Sequence, residues 1–462
     1  MTSLFLALPQ LSADLGASGT EQLWITDSYG FVVAGFVITM GTLGDRIGRR
    51  RLLLAGGGAF AVLSVVAAFS TSPAMLIVVR GALGVAGATL MPSTLALITT
   101  MFRDGKQRGK AISIWATCQF AGGAAGPVLA GFLLQHFAWG SVFLVAVPAM
   151  GVLLVAGPFL LPEFRAPASG RLDFAGVALS LAAVLLIVFG LKQLAAGELV
   201  VPLGAIAAGT VLGVVFARRQ LTTPSPLLDL RLFRNRPFTA VLVALMFAGV
   251  AMAGVGLLVT QYLRSVLGHS PLASAVLFAP MGLGVAVGTM TAPSLTRWMT
   301  PATAIAGGLV VSAAGSLLLV FTGGLPLVMV AIAVLTLGTG PLFALGIGLV
   351  VGSVPPERAG SAASMADTGN YLGGSLGLAL IGLTAAAVYR HAFPAGTTLA
   401  VDVTRAEVAD QAKEAFTSAL HVTGVIAAVL FAGLAVLVTT MRHPARGGTV
   451  GAAGFEPATA RV

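Results

Sequence analysis

The chain has 462 residues, 57% of them hydrophobic and only 9% charged, with a mean hydropathy of +0.98. So little polar surface cannot cover a soluble core of this size, which leaves an integral membrane protein. The formal charge of +10 is split into short runs between apolar segments, a pattern that sets membrane orientation and argues against nucleic-acid binding. Cys118 is the single cysteine, so neither an intramolecular disulfide nor a thiolate metal cluster is available.

The apolar stretches are mostly about 18 to 25 residues long, suited to helices crossing a hydrocarbon layer of about 30 Å; membrane β-strands would be about half that length and alternate with polar residues. In chain order the predicted spans are 22–43, 52–70, 74–100, 111–135, 139–161, 173–194, 200–217, 237–260, 271–293, 302–321, 325–351, 361–388 and 415–440. Ahead of them Thr2 to Leu11 is apolar but long enough for only half a crossing. Most Lys and Arg fall in alternate connections, beginning with Gly44 to Arg51, whereas Asp14, Glu21, Glu198, Asp402, Glu407, Asp410 and Glu414 occupy the other set. The positive-inside rule therefore puts the arginine-rich loop and the C-terminus in the cytoplasm. On this topology the design has fourteen helices, the first represented by its outer half; the rival reading takes the half-helix as real, with the N-terminus within the membrane. No cleaved signal peptide is recognisable. The expected organisation is a first half at 1–161, an extra helix pair with linkers at 162–236, a second half at 237–440 and a disordered cytoplasmic tail at 441–462. Residues 390–414 read as a solvated outer cap.

Three segments carry sequence patterns. The stretch "GTLGDRIGRRR" combines Gly41, Gly44 and Gly48, which permit a tight turn and close helix approach, with Asp45, Arg46 and Arg49 to Arg51. The arginines suit water and anionic headgroups. The simpler alternative, a topological anchor, accounts for the arginines but not for Asp45 or the glycine spacing. "LIVVRGALGVAGA" sets Arg80 inside a span, where an arginine marks a pathway or a charge partner, or snorkels to the outer interface. "GGAAGPVLAG" places Gly122, Gly126, Pro127 and Gly131 on one span, a groove for close packing with a proline that bends the helix. The stretch from Ile38 has a degraded counterpart from Gly288, an echo expected of transporters built from internal repeats.

The first pattern resembles the signature loop of the major facilitator superfamily, and the other two resemble its fourth- and fifth-helix motifs. "LALPQLSADLGAS", "LWITDSYGF", "TLMPSTLALI" and "GSAASMADTGNYLGGSLGLALIG" are similar, in order, to segments of its fourteen-helix drug:proton antiporter branch. The resemblance implies an all-α fold of two six-helix halves plus two extra central helices. It implies a loop that latches the cytoplasmic side, with Asp45 facing the helix that begins near Ser361, and an antiporter motif at Gly122 to Gly131. The family pattern carries a glycine where Ala130 stands. Its first-helix pattern matches Thr2 and Ala7 to Pro9 and would set an acid just ahead of Met1.

A proton antiporter needs a carboxyl that alternates between proton and cation. Asp27 and Asp367 are the acids well inside predicted spans, and with Arg80 they are the expected coupling or substrate residues. Each also has a plainer alternative, an interfacial position for Asp27 and a helix-start carboxylate for Asp367. The expected function is export of amphipathic, often cationic, drugs across the cell membrane by a proton-coupled, monomeric carrier that needs no cofactor and binds no metal or nucleic acid. A dedicated exporter of one endogenous metabolite or antibiotic is the alternative. A membrane enzyme or channel lacks support, because no nucleophile, histidine cluster or filter loop appears among the spans.

Overall fold

The computed structural model describes residues 2–102, 104–163, 173–195, 200–223, 230–354, 359–393, 403 and 407–440. These form α1 (Thr2–Leu15), α2 (Gly19–Ile47), α3 (Arg49–Ala68), α4 (Pro73–Met101), α5 (Gly105–His136) and α6 (Ser141–Leu160). Then follow α7 (Phe174–Ala195), α8 (Val200–Thr222), α9 (Arg236–Val266), α10 (Pro271–Leu295), α11 (Pro301–Phe321), α12 (Leu325–Gly352), α13 (Ala359–Ala392) and α14 (Ala409–Thr440). The helix starts follow the sequence closely. Ser18 caps α2 in a capping box with Glu21, Asp104 caps α5, and Ser72, Ser270 and Thr300 cap helices whose first residue is proline. No strand occurs among the described residues.

Among the described residues twelve helices, α3 to α14, are long and apolar enough to cross a membrane, so this is a multi-pass membrane protein. The 29 residues of α2 rise about 43 Å at ~1.5 Å each. The 14 residues of α1 rise about half as far, with Leu4, Ala7 and Leu11 buried at helical spacing.

Packing repeats itself. α2 lies on α4, α4 on α3, α3 on α6, and α1 on α5; in the later part α10 lies on α12, α12 on α11, α11 on α14, and α9 on α13. The two six-helix sets meet along α5 with α10 and along α2 with α13, a reciprocal pair of seams. The α7–α8 hairpin packs through α7 against both α2 and α13. Leu181 and Leu185 of α7 fill the space that a Cβ at Gly35 would need, at 3.2 Å, while Val184 and Val188 pack with Tyr371 and Leu372.

The cap expected at 390–414 is corrected at both ends. α13 runs to Ala392 and α14 starts at Ala409, because Ala412, Ala415, Phe416, Ala419 and Leu420 bury one helical stripe. Residues 404–406 and the tail 441–462 lie outside the described residues.

Candidate functional site

The arginine-rich turn anchors one face of the bundle. Gly48 joins α2 to α3 with φ +110°, a backbone conformation that L side chains rarely adopt. A Cβ there would also stand 2.8 Å from Glu163 Cδ. Arg49 is fully buried and forms an ion pair with Asp45 one turn back. Arg50 donates to the carbonyls of Pro158 and Leu161 at 3.2 and 3.1 Å, and Arg50 and Arg51 lie 3.7 and 3.6 Å from the Glu163 carboxylate. The turn is therefore pinned to the end of α6. Gly41 and Gly44 are buried, and a Cβ at Gly44 would stand 3.2 Å from Leu52. Arg46 is half-buried. Ser361, expected at the partner helix of Asp45, lies on α13, but its side chain is outside the described residues. Glu163 escaped the sequence reading because it sits in a loop read for its positive charge; the lone acid after "LP" was the available signal.

At the opposite face Arg80 does not snorkel. It is 5% exposed, donates to the Thr26 carbonyl at 3.1 Å and lies over the Tyr29 ring at 5.7 Å from its centroid. The small residues after Arg80 seat that tyrosine, since a Cβ at Gly87 would come within 2.7 Å of Tyr29 Oη and one at Gly84 within 2.8 Å of Tyr29 O. Asp27 is on α2 beside Thr26, and its side chain lies outside the described residues.

Asp367 occupies a different place, where α13 meets the seam. It is 9% exposed, and its Oδ2 has no hydrogen-bond partner among the described residues. With Ala366 and Asn370 it lines a cavity of about 20 Å³ completed by Gln119 and Phe120 of α5, Leu245 of α9, and Phe343 and Ile347 of α12. That is room for about one water. Gly249 lets α13 come this close to α9, for a Cβ there would stand 3.1 Å from Asn370 O and Oδ1. Tyr371, one turn along α13 from Asp367, interacts electrostatically with both Asp367 and Tyr29 and so links this place to the Arg80 and Tyr29 group. Gln119, Phe120 and Phe343 were missed; a glutamine–phenylalanine pair in mid-span and a phenylalanine just after Pro341 were their only marks.

The seam is closed on the basic face. One buried core contains Val37 and Ile38 of α2, Leu95 and Ala96 of α4 and Ile112 of α5 together with residues of α9 to α14. All five lie in the halves of their helices nearer that face. Thr117 and Thr289 hydrogen bond across the seam at 2.8 Å. Toward the opposite face the first half has its own core of Leu4, Ala7, Leu11, Ile25, Ala67, Leu76, Val79, Leu83 and Trp139, with no member from the second half among the described residues. The close packing expected along the α5 motif is missing at its first two glycines. Gly122 and Gly123 are exposed with open space where a Cβ would be. Gly126 is half-buried and Gly131 buried; the side chain of Pro127 is outside the described residues.

Among the described residues no group of three or more His, Cys, Asp or Glu could hold a metal ion. Residues 1–378 match the family model described as Major Facilitator Superfamily. The chain belongs to that superfamily. It is 39% identical over 462 residues to the multidrug efflux pump LfrA of Mycolicibacterium smegmatis, covering 95% of this chain and 92% of that protein. It is 34% identical over 388 residues to the methyl viologen resistance protein SmvA of Salmonella typhimurium, covering 83% and 78% respectively. The crystal structure of the human organic anion transporter MFSD10 (TETRAN) superposes with a TM-score of 0.64 at 15% identity, covering 93% of this chain and 88% of that one. That likeness supports the major facilitator fold.

Proposed function

We propose that this superfamily member is a proton-coupled exporter of amphipathic, often cationic, drugs, working as a monomer in the cell membrane by alternating access. In this reading the basic face and the C-terminus are cytoplasmic, which the distribution of Lys and Arg supports. Similarity to LfrA, a multidrug efflux pump, over almost the whole length supports drugs as cargo. Methyl viologen, to which SmvA is a resistance protein, is a flat dication and suits a site with a carboxylate.

The observation that carries the reading is Asp367, buried at the meeting of α5 from one half with α9, α12 and α13 from the other, and with one oxygen unpartnered. An ionised carboxyl can hold a cargo cation, and a protonated one releases it, so proton and cation compete for one group. The place is apt, because whatever binds there touches both halves and senses their separation. Arg80 and Asp27 belong to the outer part of the pathway, and the Gly48 turn with Asp45 and Arg49 latches the cytoplasmic side. The open surface at Gly122 and Gly123 receives the second half when the outer side closes.

The test is ethidium efflux from energised cells, with the pH gradient intact or collapsed. Wild-type efflux should stop when the gradient collapses, and Asp367→Asn should not sustain uphill efflux in either condition. Efflux unaffected by both manipulations would refute the coupling role of Asp367.

A further inference from the structure

We infer that Phe120 and Phe343 are the two walls of an aromatic slot that selects flat aromatic cations, with Asp367 supplying the counter-charge. The inference rests on the reading of the chain as a cation exporter and names the cargo chemistry of the same site.

The two rings come from different halves. Phe120 is on α5 and Phe343 on α12, and their centroids are 4.9 Å apart with the planes tilted by 60°. Both line the cavity that holds Asp367, together with Gln119 and Asn370. At about 20 Å³ that cavity admits no organic cargo while the rings touch. Ring-to-ring contact therefore occupies the place where cargo would lie in this closed arrangement. Opening the basic face moves α5 away from α12 and parts the rings, which creates a gap flanked by two aromatic surfaces and floored by a carboxylate.

The position of Phe343 is set rigidly. It stands in a π-helical turn, Leu342–Gly346, directly after Pro341, and such turns re-aim side chains at functional sites. The preceding turn is locked by close backbone approach. A Cβ at Gly288 would stand 3.0 Å from Gly340 Cα, and one at Gly308 3.1 Å from Pro341. The Phe343 backbone therefore stays with the second half when the halves part.

Parting the rings loses their mutual contact, and only a cargo with its own aromatic face restores it on both sides. A cation near the ring faces gains from their quadrupoles as well. The Asp367 oxygen that lacks a partner completes recognition by charge. An aliphatic ammonium ion satisfies the carboxylate but not the two rings. The expected preference for the aromatic cation over the aliphatic one from the ring contacts is about tenfold.

The test uses the full chain in lipid nanodiscs and measures the Kd of ethidium and of dodecyltrimethylammonium for the wild type, Phe120→Leu, Phe343→Leu and Phe343→Tyr. Thermal unfolding confirms that each variant is folded. Each leucine variant removes one of the two rings and should reduce the selectivity ratio for ethidium by about threefold, and Phe343→Tyr should retain it. Leucine variants that weaken both cations equally, or neither, overturn the slot while leaving the exporter reading intact. A folded wild type that binds neither cation removes the exporter reading, and the slot with it.

Discussion

Truncation of Ile112 should tip the balance between the two faces. Ile112 is 1% exposed and belongs to the core that joins the halves near the basic face, with its Cδ1 3.8 Å from the place of a Cβ on Gly348 of α12. When the basic face opens, that side chain loses its second-half neighbours and meets water. Replacing it with alanine removes three carbons, each worth about 0.8 kcal/mol of burial, or about 2.4 kcal/mol in total. The loss falls on the closed arrangement, so the ratio of open to closed basic face should rise by about 50-fold. The assay is electron-electron distance measurement between spin labels at Lys110→Cys and Ser353→Cys, in a Cys118→Ser background. Both sites are exposed and flank the seam. Ile112→Ala should convert a mainly short distance into a mainly long one. An unchanged distribution would refute the view that this core seals the face.

Three further outcomes follow from named contacts. Gly48→Ala sets an L residue at φ +110° against Glu163 and should cost about 1 to 3 kcal/mol, read as a lower unfolding midpoint. Glu163→Ala in that background should recover part of it. Arg219 hydrogen bonds to both Asp173 oxygens at 2.9 to 3.0 Å and holds that carboxyl below its ordinary range, so ionised Asp173 clips α7 to α8. Because the folded pKa is depressed, this stabilisation is complete above the ordinary value of 3.8 and is lost as pH falls through the folded value; Asp173→Asn should unfold earlier at neutral pH and show less acid dependence below about pH 4. Arg80→Ala removes the charged donor to the half-buried Thr26 carbonyl and should cost about 1 to 2 kcal/mol, again read from thermal unfolding.

The sequence made the frame legible because the bilayer imposes it. Runs of membrane-crossing length, caps such as Ser72 with Pro73, and a glycine where φ must be positive are local signals, and α3 to α14 begin and end near where those signals stand. Arg80 was legible as a buried intramembrane charge, yet its partners were not, since Tyr29 and Thr26 lie about fifty residues away and no local pattern pairs them. Asp367 could be picked out as an acid inside a span. Its cavity could not, because the walls come from α5, α9 and α12, whose register depends on glycine contacts such as Gly340 on Gly288. The α5 motif misled for a related reason. Small residues signal a surface able to receive a helix, and with the basic face closed Gly122 and Gly123 are left uncovered.

The most direct measurement is of proton movement driven by cargo. The full chain is reconstituted in liposomes with a pH-sensitive dye inside and no imposed gradient, and ethidium is added outside. The wild type should show protons moving opposite to the cargo. Asp367→Asn, which lacks the counter-charge, should bind ethidium more weakly than the wild type and move no protons. Cargo crossing the wild-type protein without any change in internal pH would contradict proton-coupled export.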